Sequence, residues 1–154
     1  MNSEQLSLKQ QLLTECIRIQ KEVVGTAKAA MQDAQQSAMD YDESAEDNMV
    51  DSYREEMQNK RDMFARQLEV ALDDMALLNK LRPELKEEVA GFGSVIITEA
   101  QSMFVAISLG SIKIDGKSYV AVSPSAPLYK AVAGKKAGET FMFREKPIKV
   151  LDVF

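Results

Sequence analysis

Apolar residues recur through the first half of the chain in steps of three and four. Leu13, Ile17, Gln20, Val24, Ala27, Met31, Ala34 and Ala38 make one such line, which is the spacing of a coiled-coil seam and not of a broad amphipathic face. After a break, a second line runs through Val50, Tyr53, Met57, Lys60 and Phe64 and continues through Leu68, Ala71, Met75 and Leu78. The pattern predicts two long helices of about 30 to 35 residues, each roughly 50 Å long at 1.5 Å per residue. The segment between them is short, so the helices are expected to fold back as an antiparallel hairpin. The first seam shrinks to alanine toward the turn, so the arm narrows there. The second helix should stop near Pro83, since proline lacks an amide donor and disfavours helix in the residue before it. Residues 85–89 are expected to add one further helical turn.

Beyond residue 90 the period changes from helical to alternating. Helix formers give way to Val, Ile, Ser, Gly and Phe, and all glycines except Gly25 fall in this part. Short strands are expected at 94–98, 103–109, 111–114, 118–122, 140–144 and 148–154. Asp115-Gly116 is a hairpin turn signal, because both positions tolerate positive φ. One short helix fits 126–133, with Pro127 in its first turn and Gly134 at its end. The fold class is therefore α+β: an arm over 1–82 with its turn near 40–51, a linker over 83–92, and a small antiparallel sheet domain with one helix over 93–154.

Composition narrows the chemistry. The chain has 154 residues, enough for one domain with an appendage but not for a large multidomain enzyme. Cys16 is the only cysteine and histidine is absent, so no internal disulfide is possible and the usual zinc and haem sites are excluded. Any metal must be held by oxygen. The first residues lack the basic start and apolar core of a signal peptide, and no apolar run approaches the roughly 18 residues of a membrane span. A cytoplasmic location and no membrane contact are expected. Charge is uneven: residues 1–88 carry 19 acids against 11 bases, net −8, and residues 89–154 carry 5 against 8, net +3. Two segments with separate tasks are implied.

The strongest chemical signal lies at the turn of the arm. Asp40, Asp42, Glu43, Glu46, Asp47 and Asp51 follow one another without a base, and no Lys or Arg occurs between Lys28 and Arg54. One or two acids at a helix start are stabilised by its dipole, which accounts for Glu46 and Asp47 but not for all six. A carboxylate cluster without amines suits Mg²⁺, which binds one or two carboxylates and takes its other ligands from water or phosphate. A solvated acidic turn is the alternative.

An arm with an acidic tip, followed by a sheet domain containing Ser125-Ala-Pro-Leu-Tyr-Lys-Ala-Val-Ala-Gly-Lys-Lys-Ala-Gly-Glu139, resembles the bacterial Gre transcript cleavage factors. Their C-terminal domain carries a similar run, Ser-Pro-hydrophobic-x-Lys/Arg-x-hydrophobic-hydrophobic-Gly-Lys-x-x-Gly-Asp. At the tip the family reads Gly-Asp-x-x-Glu-Asn-Ala-Glu-Tyr before an Arg-Glu pair. Anchoring on Arg54-Glu55 sets Glu43 at the tip Asp, Glu46 at the tip Glu and Asp47 at the Asn, and a shift of one residue puts Asp42 in the first role. Asp42 stands where the family has Gly, and Asn48-Met49-Val50 where it has Ala-Glu-Tyr.

The resemblance implies a factor that is not itself an enzyme. It would bind RNA polymerase, insert the coiled-coil tip into the secondary channel and stimulate the polymerase's own Mg²⁺-dependent cleavage of backtracked RNA. It thereby acts indirectly on the nascent RNA 3′ end, with no small-molecule substrate. Glu43 and Glu46, with Asp47 or alternatively Asp42, would help hold Mg²⁺ shared with the polymerase, and the factor would bind no cofactor by itself. An FKBP-like C-terminal domain would dock at the channel rim through Ser125, Pro127, Lys130, Gly134, Lys135 and Lys136. Its net positive charge suits an acidic protein surface or nucleic acid, or else is a solvated face. The alternative within the same resemblance is a Gre-like regulator that occupies the channel without promoting cleavage. A prolyl isomerase pocket is disfavoured by the absence of tryptophan. A dinucleotide site is disfavoured because Gly91-Phe-Gly93 precedes a strand. A plain coiled-coil scaffold is the remaining class.

Overall fold

The structure, a computed structural model, describes residues 1–40 and 48–154, and the side chains of all of these except 48–50. Helix α1 spans Ser3–Asp40 and α2 spans Asn48–Asn79. Strands β1 (Val95–Thr98), β2 (Ser102–Val105), β3 (Gly110–Ile114) and β4 (Lys117–Val122) follow, then α3 (Pro127–Val132), β5 (Thr140–Phe143) and β6 (Lys146–Val153). Contacts divide the chain into two compact units, Gln20–Ala76 and Met1–Ile19 with Leu77–Phe154. Among the described residues no helix is long and apolar enough to cross a membrane.

The start of α1 is closed by a reciprocal cap. Asn2 Oδ1 accepts from the Gln5 amide at 2.8 Å, and Gln5 Oε1 accepts from the Asn2 amide at 3.1 Å, which satisfies two groups left open by the helix geometry. The end of α2 tightens through Lys80 N–H to Leu77 O and Leu81 N–H to Leu78 O, just before Pro83. No helical turn forms at 85–89. The segment instead closes one turn, Leu85 N–H to Arg82 O, and the Leu85 carbonyl accepts from Lys9 Nζ at 2.7 Å. Residues 89 and 90 are drawn instead into backbone pairing with residues 134–136, which takes the end of the segment out of helix.

In the helical unit, α1 buries Gln20, Ala27, Ala34 and Ala38, and α2 buries Met57 and Ala71. Gln20 Nε2 donates to Ala71 O at 2.8 Å, while Gln35, Ala38 and Met39 share a recess with Gln58, Arg61 and Asp62. Early α1 thus meets late α2 and late α1 meets early α2, a helical hairpin. Lys60, expected in the second seam, is exposed and pairs with Glu56 one turn back at 3.7 Å; a solvated ammonium is cheaper than a buried one.

In the other unit the strand order is β3-β4-β2-β1-β6-β5. The expected antiparallel sheet is in fact mixed, because β2 and β4 run parallel, Ser102 beside Tyr119 through Val105 beside Val122. Residues 106–109 carry the chain past one strand position of about 4.8 Å to the sheet edge, and the β3–β4 hairpin then returns β4 into the gap. Ala106 N–H and Leu109 N–H bond to Val122 O and Ala121 O, so 106–109 is a connection along β4 and not the end of a long second strand. Asp115 (φ 50°) and Gly116 (φ 79°) make the expected two-residue turn.

The sheet is covered on both faces. Ile96, Met103, Val105, Val122, Phe141, Val150 and Val153 form a buried cluster with Ala90 and with Val132 of α3. The opposite face carries Val95, Phe104, Ile112, Tyr119 and Ala121, also buried. The base of α1 lies there: Gln5 Nε2 donates to Asp152 Oδ2 at 2.9 Å, and Leu8 and Gln11 share a recess with Ile114 and Tyr119. At this level the fully buried residues of α1 are Lys9, Leu12 and Cys16, with Leu13 and Ile17 of the expected seam only half-buried. The helix meets a second surface here, which turns its buried stripe by about one residue.

Candidate functional site

The acids expected to hold metal, Asp42, Glu43, Glu46 and Asp47, lie outside the described residues. Their flanking acids are exposed: Asp40 accepts from Gln36 Nε2 at 2.8 Å, and Asp51 faces Arg54 at 3.8 Å. Among the described residues no group of three or more His, Cys, Asp or Glu could hold a metal ion.

The residues expected to dock a partner are all described, and they form one continuous segment. Ser123 and Ser125 share a hydroxyl hydrogen bond at 2.8 Å, and Ala126 N–H closes a turn onto Ser123 O. No side chain caps α3; Pro127 opens it, where its missing amide is one of those left unbonded in any helix. Lys130 N–H returns to Ala126 O and Ala133 N–H to Tyr129 O. Gly134 follows at φ 76°, a left-handed conformation that side chains resist. From there the chain is tied to residues 89 and 90: Gly134 N–H donates to Ala90 O and Ala90 N–H to Lys135 O, each at 2.8 Å, and Val89 bridges Lys136. The Lys136 amide donates to Glu139 Oε1 at 2.9 Å.

This stitching presents Ser125, Pro127, Lys130, Gly134 and Lys136 at the surface, with Lys135 half-buried. Val132 anchors the segment from beneath, with Leu128, Tyr129 and Ala131 packed on the same cluster. Among the described residues none of the three lysine ammonium groups makes an ion pair, and the nearest acid in sequence, Glu139, is occupied by the backbone. A surface whose cations make no ion pair among the described residues can receive carboxylates or phosphates.

Lys9 and Arg144-Glu145 were not anticipated. Lys9 is fully buried, and burial lowers its pKa while Glu87 and Glu84 oppose the shift. Its signal is present in the chain, since positions 9, 12, 16 and 20 continue the spacing of three and four. Arg144 (φ 49°) and Glu145 (φ 66°) form the β5–β6 turn without any turn-forming residue type, with the Arg144 guanidinium 5.2 Å from the Phe143 ring centre. Cys16 is buried and its thiol is pushed up to about 12, chiefly by burial, which keeps it protonated and unreactive. No family model, curated protein or solved structure matches this chain.

Proposed function

We propose that the chain is a Gre-like elongation factor. In this reading it docks on RNA polymerase through an FKBP-like C-terminal domain and directs a coiled-coil tip into the secondary channel. The observation that carries the reading is the segment from Ser125 to Glu139, whose run of residue types resembles the family's and whose lysines make no ion pair among the described residues, on a helix and turn tied to Ala90 and Val132. The helical hairpin followed by a sheet is consistent with it. Docking rests on Lys130, Lys135 and Lys136 meeting an acidic surface, and such complementarity governs encounter and orientation. Glu43 and Glu46, with Asp47 or Asp42, would contribute oxygen ligands at the polymerase's active centre, and their charge would orient a water for attack. Mg²⁺ bound there supplies stabilisation of the attacking and leaving oxygens. Asp42 in place of the family's glycine favours the second reading, a channel-occupying regulator that does not promote cleavage.

Stalled elongation complexes of the cognate polymerase test this. Added protein should accelerate RNA cleavage, and Glu43→Ala with Glu46→Ala should abolish the acceleration while leaving polymerase binding nearly intact, since the tip acts in the transition state more than in docking. Lys130→Ala with Lys136→Ala should instead weaken binding and reduce its salt dependence. Binding without acceleration by the unaltered protein supports the regulator; absence of binding ends both readings.

A further inference from the structure

A recess of about 450 Å³ opens between the first turns of α1 and the β3–β4 hairpin, within the range of roughly 300 to 1,000 Å³ common to small-molecule sites. Leu8 and Ile114 give it an apolar wall, and Glu4, Asp115, Lys117 and Tyr119 give it polar groups. All of these belong to the same compact unit.

Tyr119 is the informative residue. It sits on β4 between Ser102 and Ile112 of the neighbouring strands, is only 6% exposed, and lines the recess. Among the described residues its hydroxyl has no hydrogen-bond partner. The ring is buried while the hydroxyl stays open to the recess, where it is free to donate to or accept from a ligand atom. Burial, and secondarily Asp115, raises the Tyr119 pKa, so the phenol is protonated at neutral pH and can donate.

The charged groups around it are of both signs. Asp115 is held in the hairpin turn at φ 50°, Lys117 begins β4, and Glu4 lies in the first turn of α1; among the described residues none of the three makes an ion pair. Gln11 Nε2 donates to Ser7 Oγ at 3.0 Å, so those two side chains are already paired on the recess wall. A simple anion would meet two carboxylates, and a simple cation would meet the Lys117 ammonium. A molecule bearing both charges meets neither penalty.

We propose that this recess binds a small zwitterion of the α-amino-acid type. Its carboxylate takes hydrogen bonds from Lys117 Nζ and Tyr119 Oη, its ammonium lies between Glu4 and Asp115, and its side chain rests on Leu8 and Ile114. With two acids against one base in the lining, neutral and basic amino acids bind ahead of acidic ones. The proposal does not depend on polymerase binding.

Titration of the full chain with L-leucine, followed by amide shifts in ¹H–¹⁵N spectra, tests it. Saturable shifts confined to residues near Glu4 to Gln11 and Asp115 to Tyr119 are expected, with N-acetyl-leucine and leucinamide each binding at least about fivefold more weakly, since each lacks one charge-assisted contact. Tyr119→Phe should weaken leucine about five- to tenfold, the loss of one hydrogen bond, while its thermal unfolding stays close to that of the unaltered chain. Lys117→Gln, at an exposed position, should weaken leucine but not leucinamide. No saturation at about 20 mM, where a Kd near 1 mM would leave little free site, overturns the proposal, as does equal binding of the blocked derivatives.

Discussion

The sheet unit buries Val95, Ile96, Met103, Phe104, Val105, Val132 and Val150 almost completely, whereas the helical unit buries Gln20, Met57 and a series of alanines. Each large side chain removed from water contributes about 1.5 to 3 kcal/mol and an alanine far less. The sheet unit is therefore held by packing of bulky groups across two covered faces. The helical unit relies on helix propensity and close approach of small residues, and the Gln20 side chain adds a polar contact to the Ala71 carbonyl. A molecule built this way concentrates sensitivity to core truncation in the sheet unit and leaves its helical hairpin to respond to backbone propensity.

The sharpest way to break that contrast is Phe104→Ala. Truncation of a buried phenylalanine costs about 3 to 5 kcal/mol, so denaturant unfolding should show loss of most of the sheet unit's stability. Ala34→Gly in the helical unit should cost only about 1 kcal/mol, mainly propensity, and equal effects would refute the contrast.

Next in size is Lys9. Lys9→Ala should cost about 2 to 3 kcal/mol, leaving a hole as well as the Leu85 carbonyl without its ammonium donor, while Lys9→Met, which fills the hole but loses the same hydrogen bond, should cost less, about 1 kcal/mol. The pH dependence has a definite sign. The folded pKa of Lys9 lies below its ordinary value, so between the two values the unfolded chain binds more protons and this group's contribution to stability rises with pH. Comparing unfolding midpoints of the unaltered chain and Lys9→Met through the alkaline range should show that rise only in the former.

A stabilising change comes third. Replacing Arg144-Glu145 by Asn-Gly keeps the two-residue turn but removes most of the penalty for side chains at positive φ, about 1 to 2 kcal/mol per residue at most. A gain of about 1 kcal/mol in the sheet unit is expected, visible as a raised melting temperature. The smallest effect is expected for Gln20→Leu: the Ala71 carbonyl retains its helical partner, so stability should change by less than about 1 kcal/mol. Amide exchange in the helical unit should nevertheless quicken, because the contact that sets helix register is gone. A loss above about 2 kcal/mol would show that Gln20 carries the helical unit's stability directly.

Much of the architecture was legible because local period reports local environment. Spacing of three and four marked both helices, alternation marked the strands, and Asp115-Gly116 announced its hairpin through the need for positive φ at both positions. Pro127 and Gly134 bounded α3 for equally local reasons, so the proposed docking segment could be read from its residues. The acidic turn could be read only as composition.

Other features depended on partners distant in the chain. Alternation is the same in parallel and antiparallel strands, so the parallel pairing of β2 with β4 was decided by the route of residues 106–109. The buried stripe at the base of α1 passes through Leu12 and Cys16 because a sheet face lies against it, and Lys9 is buried because the Leu85 carbonyl waits beside it. Arg144 and Glu145 are both at positive φ because the pairing of Phe143 with Lys146 leaves a two-residue closure, which takes the twist-matched geometry of a type I′ turn. The recess at Tyr119 joins Glu4 to Lys117 across most of the sequence, and its mixed charge exists only where α1 reaches the hairpin. By itself the amino-acid order determined the long helices and most strands, since those follow from each residue's own neighbours; the state of residues 85–89 and 106–109, strand direction, burial of polar groups and the making of a recess followed from contacts that only the folded chain brings together.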